Sequence, residues 1–295
     1  MKKKPLIMIV ILIFIVVLGI GIKQYNQHDS SPIVPDMENH TTNNEITNPD
    51  ELSETENATI EQPNTPAAEL SKEFSNAIQN TIKFFSGKNT QIVAIGDSLT
   101  QGVGDSTGQG GYVGILDNQI NHEKKIASFE NLGKRGNRTT HLIKRMEEPD
   151  IEKSLENTDI ILITIGANDI MQVAKENFTD ITYDIFAKER IHYKERLHKI
   201  FSTITKLNPD ASIYLIGFYN PFQQYFDHIK ELDRIVDDWN YTGKQVAEEH
   251  GAIFIPTKDL FINGDLNLFA DDHFHPNEYG YQLIAERILD YLVVD

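Results

Sequence analysis

Five short apolar runs recur between residues 91 and 255, and their spacing restricts the possible folds more than any other feature of the chain. They are Gln91 to Ile95, Ala127 to Asn131, Ile160 to Ile165, Ser212 to Gly217 and Ala252 to Ile255. Helical patterns lie between them, most clearly over Lys188 to Leu207 and Asp227 to His250, and Glu278 to Val293 closes the chain. Strands that alternate with helices in this way pair in parallel, and a parallel sheet must be covered on both faces. The expected architecture is therefore α/β, a three-layer α/β/α sandwich around a five-stranded parallel sheet. An amphipathic stretch from Leu70 to Phe85 precedes it, and no internal repeat is present. In open sheets of this kind ligands sit beyond the carboxyl ends of the strands, so the loops leaving those ends are where chemistry is expected.

The first 70 residues have a different character. Three lysines precede an uncharged apolar run from Leu6 to Ile22, which stops at Lys23. Such a run is at the short limit for crossing a bilayer, and basic residues ahead of it keep the N-terminus in the cytoplasm. No small-residue cleavage site follows, so residues 1–27 are expected to be a retained signal-anchor rather than a cleaved signal peptide. Either outcome puts the remainder outside the cytoplasm. Residues 28–70 are rich in Asn, Thr, Glu, Pro and Ser, and no Lys or Arg occurs between Lys23 and Lys72. That composition is a disordered acidic spacer. Residues 71–295 are left for the folded domain.

Charge and composition remove several function classes. A formal charge of -17 opposes nucleic-acid binding, which needs a basic face to displace counterions. The chain has no cysteine, which excludes disulfides, thiolate metal sites, a cysteine nucleophile and a lipidated cysteine. Catalysis must use oxygen or nitrogen groups.

The unusual residues cluster in the expected loops. IGDSLTQGVG sets Ser98 directly after the first apolar run, where a serine at a helix N-terminus can act as a nucleophile or as a plain helix cap. NLGKRGNRT contains Gly133 and Gly136, either a turn or a place where a backbone N–H can approach a ligand. TIGANDI places Asn168 and Asp169 past the third run; an Asn amide can donate to an oxyanion, and both types also serve as turn residues. FADDHFHPNEYGY sets Asp272 three residues before His275, so the carboxylate can hold one ring nitrogen and leave the other to a nucleophile. His273 gives this loop a metal-binding alternative, although no second acid and histidine cluster supports it. Glycine density from Gly102 to Gly111 hints at a nucleotide loop but lacks its lysine and its spacing. In PFQQYF, the rings of Phe222, Tyr225 and Phe226 are candidates for an acyl-binding wall, though each alone also reads as core.

Taken in order, GDSL, the glycine loop, GAND and DDHFHP resemble the successive blocks of the SGNH hydrolase family, the GDSL-like lipases and acylhydrolases, from about Gln91 to the end. The resemblance implies a flavodoxin-like sandwich with Ser98 as nucleophile, His275 as base and Asp272 as its orienting acid. It assigns Asn168 to the oxyanion hole with the backbone N–H groups of Ser98 and Gly136. Gly136 is preferred to Gly133 because the family's glycine lies five residues after the asparagine of that block, here Asn131. It further implies hydrolysis of a small-molecule or lipid-like ester or thioester with no metal or organic cofactor. A carbohydrate O-deacetylase acting on envelope polysaccharide is an alternative on the same blocks, and an inactive binding module is an alternative of another class.

Overall fold

A computed structural model describes residues 89–177, 179, 181–222, 230–262 and 267–292, with residues 75, 78–83 and 85 ahead of them. The expected anchor, the whole of the expected spacer over 28–70, and Tyr225 and Phe226 lie outside the described residues. Among the described residues no helix is long and apolar enough to cross a membrane.

All five apolar runs form strands: β1 (Thr90–Gly96), β2 (Ala127–Gly133), β3 (Ile160–Thr164), β4 (Ser212–Ile216) and β5 (Ile253–Ile255). They pair in parallel in the order β2-β1-β3-β4-β5. The central strands are apolar on successive residues because each face meets a helical layer. In β1, Val93 and Ile95 join one core cluster while Ile92 and Ala94 join the other. β2 lies at the sheet edge, which accommodates its polar Ser128, Glu130 and Asn131.

The helices are α1 (Ser98–Gln101), α2 (Gly111–Ile120), α3 (Thr139–Arg145), α4 (Pro149–Glu156), α5 (Ala167–Glu176), α6 (Tyr183–Leu207), α7 (Lys230–Glu249) and α8 (Glu278–Leu292). Side chains of α3 to α7 build one core, where Trp239 of α7 stacks on Tyr193 of α6 with ring centroids 4.5 Å apart. The other core joins α2 and α8 to Ile78 and Phe85 from the chain ahead of β1. The long helices α6, α7 and α8 match the periodic stretches of the sequence, α6 beginning five residues earlier than its pattern suggests.

Register matters for the site. Gly96 pairs with Gly133 on one side and with Thr164 on the other, so β2, β1 and β3 end level with one another. The chain leaves β1 for one neighbour and later returns to its other side, a topological switch that opens a crevice at this edge. The loops holding Ser98, Gly136 and Asn168 all leave from there.

Candidate active site

Ser98 is the first residue of α1, immediately after the Asp97 cap. The Asp97 carboxylate accepts the Leu99 N–H at 3.0 Å, and its own N–H donates to Thr164 O at 3.1 Å. This closes a sharp strand-to-helix turn that leaves Ser98 5% exposed. Ser98 Oγ lies 2.9 Å from His275 Nε2, across 177 residues of sequence. His275 Nδ1 lies 2.6 Å from Asp272 Oδ2. An ionised carboxylate only accepts, so Nδ1 carries the imidazole proton and Nε2 accepts from the serine hydroxyl.

The loop that presents His275 is fixed by its own backbone. Asp272 Oδ1 accepts the N–H groups of Phe274 at 3.0 Å and His275 at 2.9 Å. Tyr219 donates its hydroxyl to Phe274 O at 2.7 Å, and Phe274 packs edge-on against the imidazole. Burial works to raise the Asp272 pKa, but the hydrogen bond and charge of His275, with the two backbone N–H groups, outweigh it and hold the carboxyl at about 2. Asp271, the neighbouring carboxylate, is exposed. His273 is exposed at φ +49, and no cluster of three potential metal-binding side chains occurs among the described residues.

On the other side of Ser98, Gly133 and Gly136 separate clearly. A Cβ on Gly133 would lie 2.1 Å from Gln101 N, so this glycine lets β2 pack against α1. Gly136 sits in the left-handed region at φ +75, is exposed, and has open space where a Cβ would be. Asn168, the second residue of α5, shares an apolar recess with Ser98. Its Nδ2 donates to Asn137 O at 3.0 Å, which orients the amide and leaves it a second N–H.

Ile165, Ile216, Phe218, Pro221 and Phe274 give that recess its walls. Phe222, expected on an acyl-binding wall, instead belongs to the core with Leu232, Ile235 and Trp239. The cause is local: Asn220 Oδ1 accepts the Phe222 N–H at 3.0 Å while its Nδ2 reaches Asp233 of α7, and this turn draws the segment against that helix. The glycine-rich stretch after α1 is filled by its own carboxylate. Asp105 accepts the N–H groups of Thr107, Gly110 and Gly111 and the Thr107 hydroxyl, so the donors a phosphate would use are taken.

A polar chain that motif spacing did not announce runs beneath the serine. Tyr112 and Thr100 hydroxyls are 2.9 Å apart, Thr100 and Thr164 hydroxyls 2.7 Å, and Thr164 donates to Asp97 at 2.9 Å. Burial pushes the Asp97 carboxyl up to about 7, against the pull of its bonds to Leu99 and Thr164. The bonds of this polar chain span 12, 64 and 67 residues, so no local pattern in the sequence marks it.

A doubly wound parallel sheet carrying a hydroxyl, an imidazole and a carboxylate in hydrogen-bonded series at its carboxyl edge is an arrangement suited to an α/β hydrolytic enzyme. The chain belongs to the GDSL-like lipase/acylhydrolase family, which it matches over residues 94–283, and it is an ester-hydrolysing enzyme. It is 34% identical over 202 residues to the uncharacterized protein YpmR of Bacillus subtilis (strain 168), covering 67% of this chain and 79% of that protein. It is 26% identical over 220 residues to an acetylxylan esterase of Geobacillus stearothermophilus, covering 69% and 94%. Among solved structures, the lipase Lip_vut3 from a goat rumen metagenome shares the fold at a TM-score of 0.60 and 24% identity, over 68% of this chain and 96% of that one.

Proposed function

We propose that this chain is an extracytoplasmic serine esterase that cleaves a carboxylic ester or thioester through an acyl-enzyme on Ser98. The observation that carries the reading is the unbroken series from Ser98 Oγ through His275 to Asp272, at 2.9 and 2.6 Å. His275 Nε2 takes the hydroxyl proton as Oγ attacks the acyl carbon, then returns it to the departing alkoxide or thiolate. Asp272 stays ionised and steadies the imidazolium. The N–H groups of Ser98 and Gly136 and the Asn168 amide hold the oxyanion. Water then attacks the acyl-enzyme by the same proton route, which needs no metal or organic cofactor.

The extracytoplasmic placement rests on residues 1–27, read as a membrane anchor, with residues 28–70 as the tether. Protease added to intact cells should then release an active soluble fragment; protection until the membrane is opened would refute the placement. For the chemistry, a fluorophosphonate should add once, at Ser98, and Ser98→Ala should abolish both labelling and turnover. Turnover retained by Ser98→Ala would end the serine reading.

Withdrawal of Phe222 into the core favours a second reading of the substrate, a short acyl group such as the acetyl of an O-acetylated polysaccharide. The acetylxylan esterase relative supports it. An acyl series from acetyl to octanoyl separates the two: kcat/KM falling beyond acetyl selects the deacetylase, and kcat/KM rising with length selects a lipid-like substrate.

A further inference from the structure

Asp169 follows Asn168 directly, yet its contacts lead away from the serine. It is 4% exposed. Its Oδ2 accepts the Thr139 N–H at 3.0 Å and its Oδ1 accepts the Thr139 hydroxyl at 2.6 Å. Arg196, on α6 in the outer layer, donates through Nε to the Thr139 hydroxyl at 2.6 Å. It also donates through Nη2 to Asp169 Oδ1 at 3.1 Å and to Glu189 Oε1 at 2.7 Å.

Position gives this cluster its meaning. Thr139 opens α3, three residues after Gly136, and Asp169 lies in the first turn of α5, one residue after Asn168. The cluster therefore joins, from behind, the two loops that hold two of the three oxyanion donors. The Asn168 amide bonded to Asn137 O closes the same junction from the front. A buried ion pair is a poor device for stability alone, because desolvation offsets most of the attraction and an apolar contact of the same size serves as well. What charged, directional bonds add is a fixed geometry. An oxyanion hole needs that: its donors must stand about 2.7 to 3.1 Å from where the charge develops.

We infer that Asp169, Thr139 and Arg196 are positioning residues that set the spacing between the Gly136 N–H and the Asn168 amide, so that an arginine in the outer helical layer tunes oxyanion stabilisation. The inference rests on the serine-esterase reading above. Thr139→Val removes the shared hydroxyl at nearly constant volume. It should lower kcat about tenfold to a hundredfold, the scale of a small misplacement of catalytic groups, and leave KM within about twofold. The inhibition constant of a boronic acid, which makes a tetrahedral adduct on the serine, should rise in the same proportion. Thr139→Ser restores the hydroxyl and should restore both quantities, which a general packing role would not require. Arg196→Met, at a side chain 19% exposed, should shift kcat and boronate affinity in the same direction and serves if Thr139→Val does not fold. A folded Thr139→Val or Arg196→Met with kcat and boronate affinity within about twofold of the parent would overturn the inference. So would a Thr139→Ser as impaired as the valine variant. Ser98→Ala is measured alongside: if it remains active, the serine reading falls and takes this inference with it, whereas an inactive Ser98→Ala beside an unaffected Thr139→Val defeats the inference alone.

Discussion

The two sides of Ser98 are built by different means. On the acid–base side, Asp272 reaches Phe274 and His275 by bonds spanning two or three residues, within one loop; the bond to Ser98 and the Tyr219 hydroxyl on Phe274 O come from farther along the chain. On the oxyanion side nearly every bond is long-range: Asn168 to Asn137 spans 31 residues, Asp169 to Thr139 spans 30, and Arg196 to Thr139 spans 57. The pairing of Asp272 with His275 is set within one loop. The oxyanion side exists only when three elements have packed, so substitutions distant from the serine should disturb it more readily.

The largest effect should come from the local side. Ser98→Ala and His275→Ala should each lower kcat by about 10,000-fold or more, and the double variant should lose little beyond either one, because the two groups act as a unit. Steady-state kinetics on a chromogenic ester would check this; fully additive losses would separate the two residues. Asp272→Asn should follow closely, since the amide can present the wrong partner to Nδ1, while Asp271→Asn should stay near the parent. A reversal of that ranking would move the orienting role to the exposed carboxylate. Asn168→Ala should be milder, about a hundredfold to a thousandfold in kcat, as one donor of three is lost.

The same contrast explains what could be read in advance. The central strands are legible because each carries a short apolar run, β2 by its place in the alternation although Ser128, Glu130 and Asn131 interrupt it, and α6 and α7 because long periodic faces repeat over several turns. The helices α2 to α5 were not singled out: each has ten residues or fewer, too short for a periodic face to stand out. Ser98, His275 and Asp272 lie in short motifs whose spacing already implies contact. Thr139 and Arg196 carry no such signal, since a threonine opening a helix and an arginine on a long amphipathic one are ordinary residues until the fold brings them together. Phe222 fits either wall or core in the sequence because aromatic density does not reveal which way a turn is tied, and Asn220 decides for the core.

The smallest expected effect concerns the carboxylate beneath the serine, and it contrasts with Asp272 in sign. Asp272 is held at about 2, so its stabilising contribution is complete above its ordinary value of 3.8 and is lost as the pH falls toward 2. Asp97 is pushed up to about 7 from the same ordinary value. Between those limits the unfolded chain has released this proton while the folded chain retains it, so stability declines as the pH rises from about 4 to 7 and is level beyond. Asp97→Asn keeps an oxygen for Leu99 and Thr164 but has no proton to lose. Its unpaired amide hydrogens impose a cost that does not change with pH, so the informative quantity is the slope and not the offset. From pH 5 to pH 8 the stability of the variant relative to the parent should improve by at most about 3 kcal/mol, a window in which Asp272 is fully ionised and contributes no slope. Denaturant melts at several pH values would measure it. A difference between the two proteins that stays constant across the window would mean that Asp97 is already ionised in the fold, and that its bonds to Leu99 and Thr164 outweigh its burial.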